Sequence, residues 1–132
     1  MSSIGTSTFL RRALVADAAI SGATSLLMIL GAEALQGLLG LPAALSRSAG
    51  LVLLPFVALL VWLATRERAP RAGVWTVIEI NALWVIGSLL LVLSGWVALT
   101  GLGSAFVLLQ AVAVAGFAAV QYVGLRRAAA RI

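Results

Sequence analysis

Four apolar runs dominate the chain, covering residues 13–30, 48–65, 73–96 and 102–125, with short polar breaks between them. A membrane-crossing helix needs about 20 mostly apolar residues, because hydrocarbon offers the backbone no partner and its N–H and C=O groups must bond within the segment. The pattern therefore predicts an all-α fold, a polytopic membrane four-helix bundle forming a single transmembrane domain over residues 1–132. The second span can begin as early as Pro42, since proline fits the first turn of a helix. Between the first two spans, "GAEALQGLLGLP" (Gly31 to Pro42) is too rich in glycine for a strong helix. Its Leu35, Leu38 and Leu39 can still lie on one side, which predicts a half-helix in the outer interface. Glu33 there can meet Arg47, an exposed pair worth about 0–1 kcal/mol.

Composition agrees with the pattern: 63% of residues are hydrophobic and 10% charged, against about 25% charged in soluble domains. The net charge of +5 comes entirely from arginine on the cationic side. A basic soluble protein would suggest nucleic acid, but here the arginines stand at the ends of apolar runs, not along one face. Arg11, Arg12, Arg66, Arg68, Arg71, Arg126, Arg127 and Arg131 fall on one side of a four-span layout, and Arg47 alone on the other. Arginine is retained on the cytoplasmic side of short loops, so both termini are expected in the cytoplasm. Trp62, Trp75 and Tyr122 fall near the inner boundary and Trp96 near the outer one, as interfacial aromatic belts do. The alanine, glycine and arginine bias suits GC-rich coding and, with the topology, a bacterial inner membrane. A rival reading takes Arg11, Arg12, the following apolar run and "AEA" (Ala32 to Ala34) as a cleavable signal peptide. Asp17 interrupts that run and argues against it.

A possible internal repeat runs through the sequence. Ser25 to Leu38 resembles Ser88 to Leu102, and Ser48 to Ala58 resembles Ser104 to Ala113, with single-residue slips. A duplication of this kind predicts two tandem helical hairpins related in parallel about an axis normal to the membrane, an arrangement that places binding sites between the halves. Leucine and alanine runs also match by chance, so the repeat stands beside an unrepeated bundle as an alternative.

The polar residues inside the spans carry what chemistry there is. Asp17, Ser21 and Ser25 recur at four-residue spacing with Thr24 beside them, a polar seam along span one. Ala111, Ala115 and Ala119 form a small-residue seam on span four, which is expected to pack against another helix. Gln110 and Gln121 lie three turns apart and share a face, where a buried amide usually joins helices. In "VIEINALW" (Val77 to Trp84), Glu79 and Asn81 point about 200° apart on a helix. Asn81 shares a face with Trp84 and Ser88, and Glu79 with Thr76 and Leu83. An acid costs about 2.5–3.5 kcal/mol at a span centre and normally faces the bundle interior, so Glu79 is the leading candidate. It is expected to donate a hydrogen bond inside the bundle or to a bound molecule. Asp17, Glu79 and Gln121 would then share the inner leaflet, with Asn81 and Gln110 nearer the midplane.

The chain has no cysteine and no histidine, which removes thiol chemistry and the usual zinc, haem and copper ligand sets. No cofactor, metal or catalytic residue is expected, and an enzyme is the weakest reading. The four-span layout resembles, in architecture over the whole chain, the small bacterial inner-membrane proteins of the DoxX-like group. No diagnostic motif accompanies the resemblance, and no residue role follows from it. The expected function is that of a noncatalytic subunit that packs against another membrane protein or itself, or holds a lipid-like or quinone-like molecule between its halves. The alternative is a small proton-coupled transporter using Glu79 or Asp17.

Overall fold

The computed structural model describes residues 3–130. Helix α1 (Thr8–Leu30) starts where Ser7, in extended backbone, accepts the Leu10 N–H at 3.1 Å, satisfying one of the free amides of the first turn. A break at Gly31 leads into the short α2 (Ala32–Leu39), and prolines introduce the next two helices: Pro42 before α3 (Ala43–Ala64) and Pro70 before α4 (Arg71–Ser94). The last helix is α5 (Gly101–Ala130). Helices α1, α3, α4 and α5 are each long and apolar enough to cross a membrane, and the chain is a multi-pass membrane protein built as an all-α four-helix bundle. The helices run several residues past the apolar runs at some ends because polar termini continue them beyond hydrocarbon. Glu33 and Arg47 pair across the α2–α3 turn. Of the α2 leucines, Leu35 and Leu39 are buried while Leu38 faces out.

One pair of strands has no counterpart in the sequence reading. β1 (Ser3–Gly5) and β2 (Arg68–Pro70) run antiparallel, with Ile4 opposite Ala69, and both of these side chains are buried. Strands of three residues are too short for an alternating pattern to be visible. They tie the segment before α1 to the α3–α4 turn at the end of the bundle that carries the chain termini, here called the terminal end. Arg11 reinforces the tie. Its Nε donates to the Ala64 carbonyl at 2.8 Å and its Nη2 to the Arg66 carbonyl at 3.0 Å, so the last carbonyl of α3 and one just beyond the helix meet a cation. The arginines of this end also lie over aromatic rings: Arg66 on Trp62 at 4.7 Å, Arg127 on Phe9 at 5.0 Å and Arg126 on Tyr122 at 5.7 Å. Arg131 lies outside the described residues. At the other, distal end Trp96 is 88% exposed.

Helix α1 lies along α3, and α4 along α5, so the bundle is two hairpins. The hairpins meet mainly through α1 and α5, while α3 and α4 touch sparingly and α2 bridges α3 to α5. Ser25 and Ser88, which align in the sequence comparison above, are both buried and each donates its hydroxyl to a carbonyl, of Gly50 and Trp84 respectively. At Gly50 the backbones of α1 and α3 come so close that a Cβ would sit 2.9 Å from the Ser25 carbonyl oxygen. Small residues at such crossings let membrane helices associate without a hydrophobic drive.

The alanine seam of α5 does not behave as expected. Ala111 is buried, but Ala115 and Ala119 are exposed on the outside of the bundle. Each four-residue step advances about 400°, so a seam at that spacing drifts about 40° per step. By Ala119 it has turned away from the face that Val107, Ala111, Gln121, Leu125 and Ala128 bury.

Candidate functional site

In the terminal half of the bundle, three donors converge on one carboxyl group. Asp17 of α1 is completely buried, as is Gln121 of α5, and Asn81 of α4 is 2% exposed. Asp17 Oδ2 accepts from Asn81 Nδ2 at 2.8 Å and from Gln121 Nε2 at 2.7 Å, and Oδ1 accepts from Ser21 Oγ at 2.8 Å. Asn81 Nδ2 also donates to Gln121 Oε1 at 3.0 Å. Each side chain arrives by helical spacing: Ser21 is one turn beyond Asp17, and Asn81 lies on the same α4 stripe as the buried Val74, Val77 and Ser88. The network joins both hairpins through side chains from α1, α4 and α5. Within a bilayer the alternative for each group is an unmet hydrogen bond in hydrocarbon, which is why such clusters hold helices together.

A second polar group lies toward the distal half. Trp84 Nε1 donates to Gln110 Oε1 at 2.6 Å, Gln110 Nε2 donates to Ser88 Oγ at 2.8 Å and to the Val107 carbonyl at 2.8 Å, and Ser88 Oγ donates to the Trp84 carbonyl at 2.7 Å. Gln110 therefore bonds to α4 and to its own helix, and it fixes the Trp84 ring. That ring borders two adjoining cavities.

The larger cavity, about 410 Å³, lies between the hairpins in the distal half. Its walls are almost wholly apolar, with Met28, Leu41, Ala49, Ile80, Leu91 and Phe106 among them. Leu45 of α3 and Leu83 and Gly87 of α4 also line it and are exposed, so it opens sideways between α3 and α4, which touch only sparingly. The smaller cavity, about 40 Å³, lies among all four long helices beside Ser21, Asn81, Leu53 and Phe56. Thr24, Ile80, Trp84 and Gln110 border both. An apolar recess of this size with a few convergent polar groups is the usual form of a small-molecule site.

The residues named from the sequence divide accordingly. Asp17, Asn81 and Gln121 come together, and Gln110 sits one layer away with Trp84. Glu79 does not join them: it is exposed on the outer face of α4 and makes no hydrogen bond or ion pair among the described residues. The expectation that it donates a hydrogen bond inside the bundle is corrected by the geometry. The opposed directions of Glu79 and Asn81 hold, but Asn81 is the one facing in. The signal was present, since Asn81, Trp84 and Ser88 mark a continuous polar stripe whereas Glu79 shares its face with Leu83. What the sequence reading missed is the cavity, because empty space between two hairpins leaves no residue pattern. Among the described residues no group of three or more His, Cys, Asp or Glu side chains gathers to hold a metal. Comparison with protein-family models, curated proteins and solved structures finds no match for the chain.

Proposed function

We propose that the chain is a noncatalytic binder of a lipid-like small molecule, held between its two hairpins. The observation that carries this reading is the cavity of about 410 Å³, apolar in lining and open sideways between α3 and α4. A molecule diffusing in the bilayer can enter such a recess without crossing water, and its apolar part meets walls as apolar as the lipid it leaves. Binding then gains from close packing and from whatever polar contacts the inner end of the recess provides. Asp17, the one acid buried within the spans, is enclosed by three donors, an arrangement that serves cohesion and disfavours the transporter alternative.

Gly87 offers a direct test, because a side chain added there meets open space at the cavity and no neighbouring atom within 4 Å. Gly87→Phe is expected to keep the fold and to fill the recess. Native mass spectrometry from a mild detergent should find a retained lipid-like mass on the unaltered chain and at least tenfold less on Gly87→Phe. Equal retention by both would place any bound lipid elsewhere.

The setting we infer is a bacterial inner membrane with both termini in the cytoplasm, as in the DoxX-like proteins that the chain resembles in layout. Among the described residues, seven arginines at the terminal end against Arg47 at the distal end support it. Single cysteines introduced at Ser7 and at Ser94 should label from opposite sides of sealed vesicles, Ser94 from outside the cell. Labelling of Ser7 from outside would reverse the orientation.

A further inference from the structure

We infer that the lipid-like molecule held by the larger cavity is an uncharged long-chain lipid whose head donates a hydrogen bond, a hydroxyl, seated in the smaller cavity beside Thr24 and Asn81. This rests on the binding reading above and adds the chemistry of the head group. The buried carboxyl of Asp17 dictates that chemistry indirectly. It draws one Asn81 N–H and the Ser21 hydroxyl hydrogen toward itself, and Gln121 Oε1 takes the other Asn81 N–H. What these two residues retain for the smaller cavity, which both of them line, is acceptor capacity: Asn81 Oδ1, which accepts from no donor among the described residues, and the Ser21 Oγ lone pairs. Thr24 lines both cavities and its hydroxyl makes no hydrogen bond among the described residues, so it bridges the polar floor to the apolar recess. An amide oxygen that faces an apolar-walled cavity without a donor is under-satisfied, and an entering hydroxyl supplies the missing hydrogen bond.

Size and charge exclude the other common lipid heads. A space of about 40 Å³ compares with roughly 10–15 Å³ needed for one water on the same measure, so it suits a head as small as a hydroxyl better than a phosphodiester. An anionic head would be stripped of water with no cationic side chain lining the floor to meet it. An ammonium head would be stripped of water without reaching a carboxylate, because Asp17 is completely buried behind Asn81 and Ser21. The hydroxyl remains, with its chain running past Trp84 and Met28 into the larger cavity.

Trp84 borders both cavities and serves as the reporter. In a variant keeping only this tryptophan, with Trp62, Trp75 and Trp96 replaced by phenylalanine, quenching by four dibrominated C18 probes is compared: the alcohol, its methyl ether, the carboxylate and the amine. The alcohol should quench saturably and about tenfold more tightly than the ether, a difference of about 1.4 kcal/mol. Thr24→Val should weaken the alcohol and leave the ether unchanged. Equal affinity for alcohol and ether, or tighter binding of the carboxylate or amine, would overturn the hydroxyl assignment while leaving the cavity reading intact. Absence of saturable quenching by all four would overturn the cavity reading itself. Native mass spectrometry of the unaltered chain with the same probes should reproduce the ranking independently of the tryptophan replacements.

Discussion

Asp17→Leu should cost the folded bundle about 2–6 kcal/mol, taking about 1–3 kcal/mol for each buried donor left without a partner. Two N–H groups are stranded, one on Asn81 Nδ2 and one on Gln121 Nε2, which now meet the carboxyl at 2.8 and 2.7 Å. Ser21 is affected less, because its hydroxyl can turn to a carbonyl of the preceding turn. Asp17→Asn should fall between the two proteins: it keeps one acceptor oxygen but sets a new N–H₂ against groups that already donate. Loss of helicity on titration from a mild detergent into a denaturing one measures all three. Equal stability of Asp17→Leu and the unaltered chain would mean that the network is not holding the hairpins together.

Gly103→Val should be comparably severe for a different reason. A Cβ at Gly103 would lie 2.0 Å from the carbonyl oxygen of Leu39, and backbone cannot move aside as the end of a side chain can. Overpacking costs about 1–3 kcal/mol, and more where the obstacle is rigid. The same carbonyl accepts the Thr100 N–H at 3.0 Å, and Thr100 Oγ1 donates to the Leu38 carbonyl at 2.9 Å. Pushing α2 away from α5 therefore breaks the clasp at the distal end. Because Leu41, just beyond α2, lines the larger cavity, the clasp also holds part of that wall. Hydrogen exchange should rise in α2 and at the start of α5 and stay low near Asp17. Unaltered exchange in α2 would show that the close approach at Gly103 is not maintained.

Much of the architecture was legible because lipid imposes a simple rule on sequence: long apolar runs must be helices, and short breaks between them must be turns. The half-helix after the first span and the Glu33–Arg47 pair followed from local spacing. The hairpin pairing was readable only from the similarity between the two halves of the sequence, since apolar faces in a membrane do not say which neighbour they meet. The β1–β2 pair was hidden by its length. Within the site, angular spacing separated Glu79 from Asn81 correctly, but the cost of burying charge argued for the wrong one. That cost applies to a carboxyl with nowhere else to go, whereas Glu79 lies only about 12 Å along α4 from Arg71 at 1.5 Å per residue. Asp17 shows the opposite case, where three donors on neighbouring helices make burial tolerable. A single sequence displays the acid but not the convergence, because Asn81 and Gln121 are 64 and 104 residues away.

The claim on which the functional account turns is that a lipid-like molecule occupies the recess between α3 and α4. A C18 alcohol carrying a photoreactive diazirine at mid-chain, activated on the unaltered protein in bilayer nanodiscs and mapped by peptide mass spectrometry, tests it most directly. The account predicts adducts concentrated on cavity-lining residues such as Ala49, Leu91 and Phe106, and their suppression by excess unlabelled alcohol. Adducts spread evenly over outward-facing positions such as Leu93, Leu109 and Val112, with no suppression by competitor, would contradict it.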